Sequence, residues 1–229
     1  RRRIVDAWLE RDVIIRNPDQ VRIGPRVELE PACELTGPVE IYGRTRIQAG
    51  ARIDSHVCIV DSEIGEGAWI RSFSHVEGAE VKQGAQAGPY ARLRQGAVLE
   101  PESKVGNFVE VKKAVLGRGS KANHLAYIGD ASVGSGANIG AGCITCNYDG
   151  RSKHRTTIGE GAFIGSNTSL VAPLEIGARP LVRPGSTLSK SVPESLLAVA
   201  RAKQRNLERK GPKREKDDGD TGQTGRKDT

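Results

Sequence analysis

The chain has 229 residues, 28 glycines, 11 prolines and only 4% aromatic residues, which excludes a core built on large rings; small β-branched side chains must do the burying. Its net charge of +7 does not mark a nucleic-acid binder: Arg1, Arg2 and Arg3, with ten Lys/Arg against six Asp/Glu in residues 201–229, hold the excess and leave a near-neutral body. No run of 18 apolar residues could span a membrane, no secretory signal opens the chain and methionine is absent, so a cytoplasmic location and a fragment or processed product are expected.

The opening RRRIVDAWLERDV places Ile4, Val5, Trp8 and Leu9 at helical spacing, which predicts a short amphipathic linker helix within residues 1–14. From residue 15 to 190 a different period rules. An apolar residue recurs every sixth position through Ile23, Leu29, Leu35, Ile41, Ile47, Ile53 and Ile59, and the series runs on, with interruptions, to Leu188. Neither a 3.6-residue helix nor a two-residue strand alternation sustains a period of six. A left-handed parallel β-helix does, with three hexapeptides to each triangular coil. The chain is therefore expected to be all-β, with about nine coils.

The interruptions are ordered. The steps 59→64, 76→81, 111→116 and 128→133 are five residues long and fall at one corner of the prism. The gap 145→158 falls there too, so CNYDGRSKHRTT must bulge out as an external loop. After Pro193, ESLLAVARAKQRNLERK predicts a helix within 191–210, and the charged, Gly-rich residues 211–229 are expected to be disordered.

Equivalent positions in successive coils stack ~4.8 Å apart. Two residues beyond the middle marker of each coil lie His124, Ala141, Ser166 and Pro184, one imidazole below a track of small residues. A long thin ligand could lie along that track with its reactive end at His124. One position beyond the third marker, Arg94 and Lys112 stack as cations. A phosphate would suit that pair, although Glu110 across the turn could neutralise Lys112 instead. Cys33, Cys58, Cys143 and Cys146 are expected to be reduced thiols. His56, His75, His124 and His154 are too far apart in sequence for the clustered zinc histidines of a γ-carbonic-anhydrase-type site, and no metal is expected.

The stretches GNFVEVKKAVLGRGSKANHLAYIGD, NIGAGCITCNYDGRSKHRTTIG and FIGSNTSLVAP closely resemble the acetyltransferase half of the bacterial bifunctional N-acetylglucosamine-1-phosphate uridyltransferase/glucosamine-1-phosphate acetyltransferases. The resemblance covers nearly all of residues 1–208. It implies a homotrimer with active sites between prisms, and acetyl transfer from acetyl-CoA to the amine of glucosamine 1-phosphate. It implies His124 as general base, oriented by Glu110. Arg94, Lys112, Tyr127, Asn138 and Lys153 would hold the sugar phosphate, and Ala141, Asn147, Tyr148, Ser166, Pro184 and Arg201 would line the acetyl-CoA site. Two departures stand out: Pro184 occupies a position that is usually alanine, removing an amide donor, and NLERK stands where the family has a tryptophan. No Gly-rich nucleotide-binding loop occurs, so uridylyl transfer is not expected of this chain.

Overall fold

The computed structural model describes residues 2–206. Apart from one helix, Arg2–Leu9, and a single 3-10 turn, the regular elements are short strands. These assemble into three parallel sheets of eleven, ten and nine strands, here called faces A, B and C. The chain visits them in rotation: Trp69–Ile70 lies on A, His75–Glu77 on B, Glu80–Val81 on C, and Gln86–Ala87 returns to A one coil higher. The result is a three-faced parallel solenoid of about ten turns.

The hexapeptide marker points inward in every coil. Leu35, Ile41, Ile47, Ile53, Ile59, Ile64 and Ile70 are fully buried. Two residues before the marker, a second and smaller inward side chain fills the remaining space, as Ala51, Ala68, Ala85 and Ala137 do. Large and small inward groups thus alternate across the triangular section. Between coils the backbone pairs directly: Arg52 N–H donates to Ala68 O at 2.8 Å and Trp69 N–H to Ala85 O at 2.9 Å.

The five-residue steps fall where the chain turns from face B to face C, and the loop 147–155 leaves from that corner, as expected. At the A/B corner, His56, Phe73, Tyr90 and Phe108 all take positive φ. Their rings stack at 4.7, 4.8 and 5.2 Å. Leu125 continues this exposed ladder one coil higher.

Two expectations need correction. The coils number about ten because Ile14–Arg16 adds a face-A strand before the first marker counted at Ile23, pairing with Glu34–Thr36 of the next coil, and Leu197–Ala198 adds another beyond Leu188. The helix expected over 191–210 is not formed among the described residues. There Leu197–Ala198 adds a strand beside Leu181–Val182, and the chain carries no helix through residue 206. The open end of a parallel sheet presents unpaired backbone groups. Residues 196–200 satisfy them: Leu181, Arg183 and Thr187 N–H donate to Leu196, Ala198 and Ala200 O at 2.9–3.0 Å. The remainder of that segment and the tail 211–229 lie outside the described residues.

Leu93 is fully buried inside the coil that bears Arg94. Leu93→Ala should destabilise the chain by about 2–5 kcal/mol, because stacked coils cannot collapse onto the cavity; a thermal melt unchanged from wild type would contradict this packing.

Candidate functional site

The site residues divide between two corners. Registers Ala122↔Ile139, Ile139↔Ile164 and Ile164↔Val182 on face A put His124, Ala141, Ser166 and Pro184 in one vertical column at the A/B corner. The N–H groups of Ala141 and Ser166 donate to no protein acceptor among the described residues, so both are free for a ligand. Pro184 has no N–H to offer. It fits because Gly165 lies beneath it: a Cβ there would fall 2.5 Å from the Pro184 nitrogen. Arg201 reaches the top of the column, donating from Nη1 to Pro184 O at 2.9 Å, from an extended segment rather than a helix.

His124 is exposed, and its Nδ1 lies 2.5 Å from Asn107 Oδ1. An amide oxygen only accepts, so Nδ1 carries the hydrogen and Nε2 presents its lone pair outward. Asn107 pairs in register with His124 one coil below. It therefore belongs to the same small-residue column, and extending that column downward by one coil would have found it. The expected link from Glu110 to His124 is not among the hydrogen bonds of the described residues. Glu110 instead accepts from Arg94 Nη1 at 2.8 Å.

Face B and the B/C corner carry the cations. Leu93↔Val111 and Lys112↔Gly129 place Arg94 and Lys112 in adjacent coils at the corner from which the loop 147–155 emerges. The loop folds back so that the Lys153 side chain meets Lys112. The adjacent Lys153 side chain first, and then the charge of Arg94, hold Lys112 below its ordinary pKa. Neither lysine pairs with a carboxylate among the described residues. Glu110 lies beside Tyr127 in register on face B. The Tyr127 ring folds across Gly129, where a Cβ would meet its hydroxyl at 2.4 Å.

Arg94, Lys112, Tyr127 and Lys153 thus come together, while Asn138 stands on face A beside Lys121. Asn147 and Tyr148 belong to the B/C loop, away from the column of Ala141 and Ser166. Asn147 is buried and donates to Asp130 Oδ2 at 2.5 Å; Tyr148 donates to Gly150 O at 2.7 Å. In register, His124 and Gly129 are five residues apart along one coil, up to about 16 Å at ~3.3 Å per residue. The imidazole and the cations of one chain occupy the two different corners that bound face B.

The buried thiols Cys33 and Cys143 take no part in either group. Cys143 is buried, which pushes its thiol up, and its Sγ faces Gly165 O at 3.2 Å. Burial also pushes Cys33 up to about 11.

Comparison with known proteins decides the relationship. The chain is 57% identical over 210 residues to the bifunctional protein GlmU of Nitratidesulfovibrio vulgaris, covering 92% of this chain and 46% of that protein. It is 49% identical over 207 residues to the GlmU of Thermus thermophilus, covering 90% and 46%. Over this span the chain belongs to the GlmU family.

The chain spans about half the length of the GlmU proteins it matches. No protein-family model matches it. Among solved structures, a UDP-N-acetylglucosamine acyltransferase of Francisella novicida has a TM-score of 0.53 at 15% identity over 82% of this chain and 67% of its own, a likeness of fold. The GlmU-like span contains both corners, the column of small residues and the loop.

Because Lys153 is the main cause of the low Lys112 pKa, Lys153→Ala should let the Lys112 ammonium titrate at higher pH. Carbon-13 NMR of the lysine side chains reads this directly, and an unmoved Lys112 would show that the two do not meet.

Proposed function

We propose that the chain transfers an acetyl group from acetyl-CoA to the amine of glucosamine 1-phosphate. The product, N-acetylglucosamine 1-phosphate, would supply UDP-N-acetylglucosamine for peptidoglycan and lipopolysaccharide precursors in the cytoplasm. The working unit in this reading is a homotrimer of left-handed prisms with sites between neighbours. The observation that carries it is the crowding of Arg94, Lys112 and Lys153 at one corner, where among the described residues only Arg94 forms an ion pair, with Glu110. Such a cluster is costly unless an anion completes it, and a phosphate monoester matches its charge and donors.

The divided geometry supports the oligomer. A second copy can bring its B/C corner, with cations and loop, to the A/B corner of the first, joining what one chain keeps up to about 16 Å apart. The exposed ladder of Phe73, Tyr90, Phe108 and Leu125 adjoins His124 and supplies apolar surface of the kind that marks association.

The chemistry follows from the side chains. Arg94, Lys112 and Lys153 hold the phosphate, with Tyr127 beside them and Asn138 from the neighbouring face, so that the amine is placed against the thioester carbon. Acetyl-CoA lies along Ala141, Ser166 and Pro184 with Arg201 at the far end and Asn147 and Tyr148 of the adjoining loop. As the amine nitrogen forms its bond to the carbonyl carbon, Nε2 of His124 accepts the ammonium proton. Asn107 keeps the hydrogen on Nδ1, as the third group does in nucleophile–base–orienter arrangements. The free Ala141 N–H faces the developing oxyanion. Collapse breaks the carbon–sulfur bond, and the imidazolium returns its proton to the departing thiolate. Transfer is direct: the raised Cys143 thiol is a poor nucleophile, and Cys146 has no base among its hydrogen-bond partners.

Thiol release from acetyl-CoA with glucosamine 1-phosphate, against glucosamine and no acceptor, tests the reading. Release should require the phosphate. His124→Ala should lower kcat by about 10²-fold or more, Asn107→Ala by a smaller factor, and Cys146→Ser should retain a substantial share. Loss on Cys146→Ser with retention on His124→Ala would establish a ping-pong route instead, and release with unphosphorylated glucosamine would remove the role given to the cations.

A further inference from the structure

The loop 147–155 raises an electrostatic difficulty. Its Lys153 is the neighbour that most disfavours the charged form of Lys112, and Arg94, one coil below, adds to the effect. Neighbouring cations repel, and a free loop would carry Lys153 into solvent, where water screens the charge. Something in the loop must hold it in place.

The candidate is Asp149. Its Oδ1 accepts from the N–H of Arg151 and of Ser152, both at 2.7 Å. Its Oδ2 lies 2.6 Å from Nε2 of His154. Asp149 N–H also donates to Ser152 O at 3.2 Å, and His154 N–H to Asn147 O at 2.8 Å. One carboxylate thus clasps the residues on both sides of Lys153, and the Tyr148–Lys153 antiparallel bridge closes the hairpin. The hydrogen bonds from Ser152 first, then His154 and Arg151, hold the Asp149 carboxyl well below the usual carboxylate range, so the clasp is anionic at every pH at which the protein would work.

We propose that Asp149, through His154 and the loop amides, is a positioning residue that keeps the Lys153 ammonium in the anion-binding corner against the repulsion of Lys112 and Arg94, and so sets the affinity for the acceptor's phosphate. The inference rests on the reading of that corner as the phosphate site. It assigns Asp149 no contact with substrate.

The experiment compares the full chain with Asp149→Ala, His154→Phe, Lys153→Ala and the double variant Asp149→Ala/Lys153→Ala. The first readout is KM for glucosamine 1-phosphate. Asp149→Ala should raise it about tenfold, on the order of one lost charge-assisted contact, and Lys153→Ala similarly. The double variant should be no worse than Lys153→Ala alone, because both remove the same ammonium. His154→Phe keeps the ring volume and two of the three Asp149 bonds, so it should move KM in the same direction by less. The second readout needs no turnover: Lys112 should titrate at higher pH in Asp149→Ala, as it does in Lys153→Ala. A Lys112 titration that moves in Lys153→Ala but stays at the wild-type position in Asp149→Ala and His154→Phe overturns the proposal, and so do KM effects that multiply in the double variant. If wild type does not acetylate glucosamine 1-phosphate, the functional reading fails, and the Lys112 titration still decides the positioning role.

Discussion

The structure depends on vertical register. Each coil must lay its inward Ile, Leu or Val over the coil below while its backbone donates to that coil's carbonyls, and the two requirements are met together only when equivalent positions stack. The buried series from Leu35 to Ile70 satisfies the first requirement, and the bonds from Arg52 to Ala68 and from Trp69 to Ala85 satisfy the second. Outward side chains are then ordered as a by-product: whatever projects from one corner projects there in every coil. A column of small residues above an imidazole, or of cations in adjacent coils, comes from that stacking without any further device.

The corners take up the departures from regularity. Shortened steps and the inserted loop all fall between faces B and C, where backbone need not pair across a strand. That leaves the A/B corner uniform enough for a continuous track and a ring ladder, and lets the B/C corner gather charge. Thr145, at the root of the loop, replaces the usual inward hydrocarbon. Its hydroxyl accepts from Gly129 N–H at 2.8 Å and lies 3.0 Å from Gly129 O, so a buried polar group is satisfied where the chain leaves the solenoid. The loop is braced at its base by Thr145 and Asn147 and at its tip by Asp149.

A solenoid also separates its parts. Residues adjacent along one coil stand on different faces, and the prism between them is filled with hydrocarbon. His124 and Lys112 are close in sequence and belong to neighbouring coils, yet they project from different corners. A rigid prism does not fold back on itself to bring such groups together, which is why the chemistry proposed here needs a second prism rather than a conformational change.

Much of this was legible in the amino-acid order. The period of six specified the coils, the five-residue steps located the corner of the loop, and simple addition placed His124, Ala141, Ser166 and Pro184 in one column, as the register has them. Local patterning failed at the ends. ESLLAVARAKQ has helical spacing, but the unpaired edge left by Leu181–Val182 made a strand of Leu197–Ala198. The sequence by itself determined the repeat, its inward residues and its columns, because these follow from spacing along one chain. Only the tertiary structure decided that Asn107 holds His124, that Glu110 pairs with Arg94, and that Lys153 returns to Lys112. Those pairings depend on the direction of each side chain at a corner and on the path of an inserted loop, and periodicity carries no information about either.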